Sequence, residues 1–279
     1  MQDRSSRTHL LRRLEPSINY WLPPRRFVRL EATTLHRSHP QSAQLGESIR
    51  VLNWNIAKNN HDRLWLSDFA AILDAYQPNL IFLQEVRMCT QDKHLSELTE
   101  LGWCFAPNFI DAYHNIYAGV LTAATASCLA RRAVMTQHHE PVTKTPKISL
   151  INEYPFQSGQ TLLTVNSHLI NFVELVKFRA QLLQLEQSIA LHRGPVIFSG
   201  DFNTWSRSRL RALSAMAQRL GLEQAKFPAA DAQNIKRFLL SPPLDHIFYR
   251  GLRQNFFHAK VLDQIDSSDH KPMIVEFSV

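Results

Sequence analysis

The sequence predicts an α/β fold in which two mixed β-sheets are covered by helices. Short β-favouring runs are scattered among segments of helical period, a pattern that suits mixed sheets better than one alternating parallel sheet. Hydrophobic residues make up 44% of the 279 positions, enough to bury a sizeable core within one domain. With eight glycines and no internal repeat, fibrous and solenoid architectures are excluded.

Residues 1–45 read as a basic, proline-containing N-terminal extension. They hold eight arginines and three acids, and so carry +5 of the net charge of +7. The body of the chain is close to neutral, so overall basicity says little about its partners. Tyr20–Phe27 interleaves aromatic and basic residues. It suits contact with an anionic surface, and equally a strap over the domain or a flexible leader.

The catalytic domain is expected over 46–279. Ile49 to Ile56 reads as a strand. Leu64, Leu66, Phe69, Ile72 and Leu73 have helical spacing, and Pro78 ends that helix before a second strand, Leu80 to Leu83. Residues 91–101 look helical. From 116 to 170, short β-favouring runs alternate with turns, Lys147–Glu153 and Thr161–His168 being the clearest. A long helix spans about Val173 to Leu191, and Val196 to Ser199 is a buried strand. Ser206 is a good N-cap for a helix that Gly221 ends. A proline-flanked loop covers 223–243. Strands follow at Asp245–Tyr249, Ala259–Leu262 and Met273–Val279.

Asp201 and Asn203 follow the apolar strand Val196-Ile197-Phe198. Spaced two apart on extended chain, they share a face while Phe202 turns into the core, and Gly200 permits a close approach. The pair suits a metal, a water or a phosphate, although a capping loop uses the same residues. Asn55 and Glu85 each close an apolar strand, at the strand ends where layered α/β folds place ligand sites. Glu85 there is costly unless paired or bound to a cation, and hard oxygen donors suit Mg²⁺. Asn53 shares a face with Asn55. His168 ends the strand from Thr161 and suits proton transfer. Asp245 opens a strand, and Asp269 and His270 precede the last one. Both can face a site only from a loop, and an aspartate bonded to a histidine fixes its tautomer. Converging Glu85, Asp201, Asp245 and Asp269 would need a cation or a protonated histidine.

The ordered motifs NWNI (53–56), LQE (83–85), NSHL (166–169), GDFN (200–203), LDHIF (244–248) and SDHKP (268–272) resemble the endonuclease/exonuclease/phosphatase (DNase I-like) superfamily over residues 49–279. The longer forms GDFNTWSRSR and PLDHIFYRGL are most like its bacterial YafD-like branch. The resemblance implies a four-layer α/β/β/α sandwich and a Mg²⁺-dependent hydrolase, with Mn²⁺ as an alternative ion. It implies metal ligation by Glu85, with Asn55 and Asp269. Asp201 and Asn203 would position water or phosphate. Asp245 would orient His270 against the scissile phosphate, which Asn55 and Asn203 help bind, and His168 would be a second proton-transfer residue. Histidine at 168 argues against an abasic-site specificity.

The expectation is therefore a phosphodiesterase acting by in-line attack of a metal-site water, nucleic acid ahead of phospholipid. One alternative is a phosphomonoesterase acting on inositol phosphates or lipid head groups and using Lys58, Arg87, Lys144 and Lys147. Another is a non-catalytic binding module. No apolar run approaches the ~20 residues of a transmembrane helix, no signal-peptide pattern is present, and no obligate protein partner is evident. Three cysteines without metal-ligand spacing fit buried free thiols and a cytoplasmic setting.

Overall fold

The computed structural model describes residues 27–30, 32–38, 42–89, 98 and 101–279. Two mixed sheets pack face to face, with helices on their outer faces. The first holds β1 (Phe27–Arg29), β2 (Leu35–Arg37), β3 (Ser48–Asn55), β4 (Leu80–Cys89), β5 (Gly102–Asp111), β6 (Ile116–Ala124), β13 (Arg253–Val261) and β14 (Met273–Ser278). Its order is β1-β5-β6-β4-β3-β14-β13, with β2 also on β5. The second holds β7 (Ala130–Met135), β8 (Ile148–Pro155), β9 (Thr161–His168), β10 (Val196–Asp201), β11 (Glu223–Gln224) and β12 (Asp245–Arg250), in the order β11-β12-β10-β9-β8-β7. β3–β4 and β9–β10 are the parallel pairs at the centre of each sheet.

Helix α1 (Arg63–Tyr76) covers the first sheet; α2 (Leu175–Ala190) and α3 (Arg207–Arg219) cover the second. Asp62 caps α1 by accepting from the Leu64 amide, and Ser206 caps α3 by accepting from that of Arg209. One turn, α4 (Ala229–Ala232), and β11 interrupt the segment expected as loop from 223. Strands β4 and β13 run well beyond their sequence-predicted limits, because each continues past a bulge. The expected helix at 91–101 lies almost entirely outside the described residues, as does Tyr20–Arg26. Within the N-terminal 45 residues, β1 and β2 pair with the outer strand β5, and Leu45 is buried in the intersheet core. Cys104 is buried as expected, whereas Cys89 and Cys128 are only half-buried, and no disulfide joins these three. No helix among the described residues is long and apolar enough to cross a membrane.

The two-residue period of the central strands locates the site. Leu52 and Trp54 on β3, and Ile81 and Leu83 on β4, pack outward on α1. The second sheet is equally regular: Leu163, Val165 and Phe198, with Phe202 just beyond β10, pack on α2 and α3. The alternate positions face the gap between the sheets, and there the side chains change along each strand. Val51 gives way to Asn53 and Asn55, and Phe82 to Gln84. Leu162 gives way to Thr164, Asn166 and His168, Ile197 to Ser199 and Asp201, and Ile247 to Asp245. One end of the gap is thus an apolar core and the other a polar cleft.

Candidate active site

Three site residues stand in one row across the second sheet. Asp201 is in register with His168 on parallel β9 and with Asp245 on antiparallel β12. Residues at equal register project from the same face, so the pairing alone brings these side chains together. Gly200 makes the close packing possible. Its φ is +148°, and a Cβ there would sit 1.8 Å from the Ser167 carbonyl oxygen.

Asn55 reaches this row from the other sheet. Its amide donates to Asp201 Oδ2 at 2.9 Å, and its Oδ1 accepts from the Ala57 amide. The Asn203 backbone donates to Asp201 Oδ1 at 2.9 Å, from a left-handed conformation with φ +50°. The Asn203 side chain donates to the Leu169 carbonyl at 2.8 Å. His168 Nε2 lies 3.5 Å from Asp201 Oδ2 and 3.9 Å from Glu85 Oε1. Regular alternation would turn Glu85 away from the gap, since Gln84 faces it. A bulge between Leu83 and Val86, with Glu85 at φ +56°, re-aims the carboxylate into the cleft.

His270 and Asp245 form the shortest contact of the group, Nδ1 to Oδ2 at 2.7 Å, leaving His270 Nε2 directed to the cleft 3.9 Å from Asp201. The loop carrying His270 is tied down twice: Trp54 Nε1 donates to its carbonyl, and Ser268 Oγ donates to the Asn55 carbonyl. Asp269 is not brought into the cluster. Its side chain is 61% exposed and pairs with Lys236 at 2.9 Å. Adjacent residues on this loop point in opposite senses, so only His270 turns inward.

The electrostatics separate the roles. Burial works to raise Glu85, but Lys147 and Lys58 outweigh it and hold the carboxyl well below the usual carboxylate range. Burial raises Asp201. Burial and Lys147 push His168 down to about 4, so its imidazole is neutral at neutral pH. Burial opposes the His270 cation, yet the charge and hydrogen bond of Asp245 raise it to about 9. The cleft therefore presents one imidazolium, one neutral imidazole and carboxylates of unequal proton affinity.

The donor set fits a hard divalent cation. Lys58 Nζ already stands 3.1 Å from Glu85 Oε2, a cation on the carboxylate expected to bind one. Asp201, Asp245 and His270 also offer ligand atoms within 4.8 Å of one another. The 2.7 Å bond between Asp245 and His270 already accounts for much of that proximity. Asp245 Oδ1 is buried and has no hydrogen-bond partner among the described residues.

Several supporting residues are not singled out by the sequence. Gln84 donates to both Asn53 and Asn166, whose amide donates to the Leu83 and Leu121 carbonyls, forming a buried network beneath the site. That network is the role of Asn53. Its signal is the presence of amides at inward positions within NWN, LQE and NSH. Arg209 is 2% exposed, donates to the Ile170 and Val173 carbonyls, and lies 4.0 Å over the Phe178 ring. Nothing in its sequence context separates it from the exposed arginines of α3.

Two helix-covered mixed sheets with a polar cleft at one end of the gap between them define a fold of DNase I-like class. The chain belongs to the Endonuclease/Exonuclease/phosphatase family, whose model matches residues 52–270. The family's members are hydrolases acting on phosphoric ester bonds and generally use a divalent metal, and this chain is an enzyme of that class. A UPF0294 protein of Vibrio campbellii (strain ATCC BAA-1116) is 35% identical over 243 residues, 86% of this chain and 81% of that protein. An endonuclease/exonuclease/phosphatase from Beutenbergia cavernae DSM 12333 shares the fold with TM-score 0.64 at 15% identity, over 84% of this chain and 72% of that one. The human Nocturnin catalytic domain, with bound sulfate, gives 0.61 at 20%, over 88% and 97%. D. rerio TDP2 complexed with single strand DNA product gives 0.56 at 19%, over 83% and 99%.

Proposed function

We propose that the chain is a Mg²⁺-dependent phosphodiesterase, with nucleic acid the favoured substrate. The observation that carries this reading is the His270–Asp245 pair facing Asp201 across a cleft that Asn55 and Asn203 close. Glu85 and Asn55 would hold the cation, which when bound neutralises phosphate charge and stabilises the transition state. His270, charged below pH ~9, directs its Nε2–H at a phosphate oxygen. Asp245 fixes the orientation of the ring and stabilises that charge. Asp201, with its proton affinity raised, is suited to take the proton of an attacking water that Asn203 helps orient. His168, neutral and beside Asp201, would pass that proton on to the leaving-group oxygen as its P–O bond breaks. The likeness of fold to TDP2, seen with a single strand DNA product, supports the choice of nucleic acid.

The test is hydrolysis of bis-p-nitrophenyl phosphate with Mg²⁺ or Mn²⁺. Activity should vanish with EDTA and fall by at least ~10²-fold in Asp201→Ala. An unchanged rate in both would sink the assignment.

One observation favours a second reading. Lys58, Arg87 and Lys147 line a single cavity of about 140 Å³ together with Glu85 and His168, while Lys144 lies outside it. Three cations in one small cavity suit a phosphomonoester, although Glu85, Asp111 and Glu140 line it too. Lys58 and Lys147 are already paired with Glu85 and Glu140, which weakens it as a phosphate cage. Release of inorganic phosphate from a monoester, without diester cleavage, would select this reading.

A further inference from the structure

Three aromatic rings on the segments that follow His168 and Asn203 and precede Asp245 are not used by the chemistry above. Phe172 follows His168 by four residues, and Trp205 follows Asn203 by two. Phe238 lies in the loop leading to Asp245, where Lys236 reaches Asp269 beside His270. Phe172 is the middle ring, 6.5 Å from Trp205 and 6.4 Å from Phe238, with planes tilted by only 28° and 29°. Such centroid separations are those of offset neighbouring rings, so the three form one row with Phe172 in the middle. Phe172 is 61% and Phe238 42% exposed. Phe172 holds this place at φ +51°, a conformation unfavourable for a bulky side chain. The Trp205 indole is fixed by donating to Asn171 Oδ1 at 2.9 Å.

Phe172 and Phe238 have exposed ring surface to offer, whereas Trp205 is half-buried, held by its hydrogen bond to Asn171, with the Arg209 guanidinium 5.2 Å from its ring centroid. Their neighbour is a site for a phosphodiester, with Lys58 and Lys147 on its Glu85 side. A ligand that meets both features carries flat rings spaced along an anionic backbone. In a duplex those faces are already stacked and paired, whereas a single strand leaves them free.

We propose that Trp205, Phe172 and Phe238 form a stacking platform for the bases of single-stranded nucleic acid flanking the scissile phosphate. This rests on the phosphodiesterase reading and narrows its substrate. The platform reads base faces without hydrogen bonds, so it accepts any sequence. Leu239 and Leu240, 93% and 96% exposed, follow Phe238 directly in the chain. A lipid surface would use these leucines more than the rings, and vesicles are therefore included among the probes.

The test is equilibrium binding of the full chain in EDTA, which separates binding from turnover. The probes are an oligothymidylate, a base-free oligomer with the same number of phosphates, the corresponding duplex, and phosphatidylcholine/phosphatidylglycerol vesicles. The single strand should quench Trp205 fluorescence, assigned by its loss in Trp205→Phe. It should bind on the order of tenfold or more tighter than the base-free oligomer. Phe172→Ala and Phe238→Ala should each shrink that ratio, with the melting temperature confirming that the variants fold. Equal binding of base-bearing and base-free strands, or a response to vesicles alone, overturns the platform. Should nitrophenyl diester cleavage stand while the ratio is one, the platform falls and the reaction class survives.

Discussion

Asn55 and Asp201 are joined by a 2.9 Å hydrogen bond that crosses from one sheet to the other. It is both a structural tie and a means of aiming the Asp201 carboxylate. Asn55→Ala removes the donor and leaves Oδ2 with His168 at 3.5 Å. The loss of a buried bond to a charged acceptor costs about 1–3 kcal/mol of stability. The expected kcat on an activated diester falls on the order of 10²-fold, as for the removal of a preorganised donor. Kinetics alongside urea unfolding check both, and a stability loss with unchanged kcat would make Asn55 a purely structural tie.

The histidines should give the metal-free protein a pH-dependent stability with a maximum near the ordinary histidine value of about 6.5. His270 is raised to about 9, so the native state binds more protons than the unfolded chain between these values. Its contribution is complete below about 6.5 and is lost as pH rises through about 9. His168 is lowered to about 4, as is buried His246. For them the unfolded chain binds more protons between about 4 and 6.5, so stability falls as pH drops through that window. Denaturant titrations in EDTA, with imidazole NMR to assign the groups, measure both limbs. Asp245→Asn should flatten the alkaline limb by lowering His270. An alkaline limb unaltered in that variant would place its origin elsewhere.

The sheets were legible because their central strands are apolar runs ending in Asn, Glu, His or Asp, and because their side chains alternate. The strand-end positions of Asp201, His168 and Asp245 are readable from the sequence, but only the pairing of β9, β10 and β12 sets them in one row. Glu85 joins the group for a reason the sequence does not carry, a bulge with a left-handed residue. Asp269 lies apart from the group for a related reason. Adjacent residues on a loop need not point together, and here Lys236, 33 positions away, draws the aspartate outward. Gln84 and Asn166 were visible as polar residues at inward positions, but only the facing of the two sheets pairs them.

Arg209 is expected to behave as a positioning residue. It holds the Ile170 and Val173 carbonyls, while Gln181 accepts from the Ile170 amide at 2.8 Å. Between them they clamp the turn whose Leu169 carbonyl holds the Asn203 side chain. Arg209→Met keeps the apolar stem and removes the donors. It should cost about 2–4 kcal/mol, because buried carbonyls lose charged partners. If the clamp matters for Asn203, kcat should fall while KM stays nearly constant, and Arg209→Lys should recover part of the rate. A stable, fully active Arg209→Met would show that the turn holds itself.

The pairing of Lys58 with Glu85 yields a prediction of opposite sign for two neighbours. The ammonium occupies one carboxylate oxygen at 3.1 Å, and a divalent cation must compete with it. Lys58 is 40% exposed along its side chain, so the competition is screened and worth at most about 1 kcal/mol. Lys58→Met should therefore tighten Mn²⁺ binding by about two- to fivefold. Glu85→Gln removes the charge and should weaken it at least ~10-fold. Both are measurable by calorimetry or by the loss of the free Mn²⁺ paramagnetic signal, without any substrate. Unchanged affinity in Glu85→Gln would move the cation to the Asp201–Asp245 side of the cleft, where Asp245 Oδ1 is a buried carboxylate oxygen with no hydrogen-bond partner among the described residues.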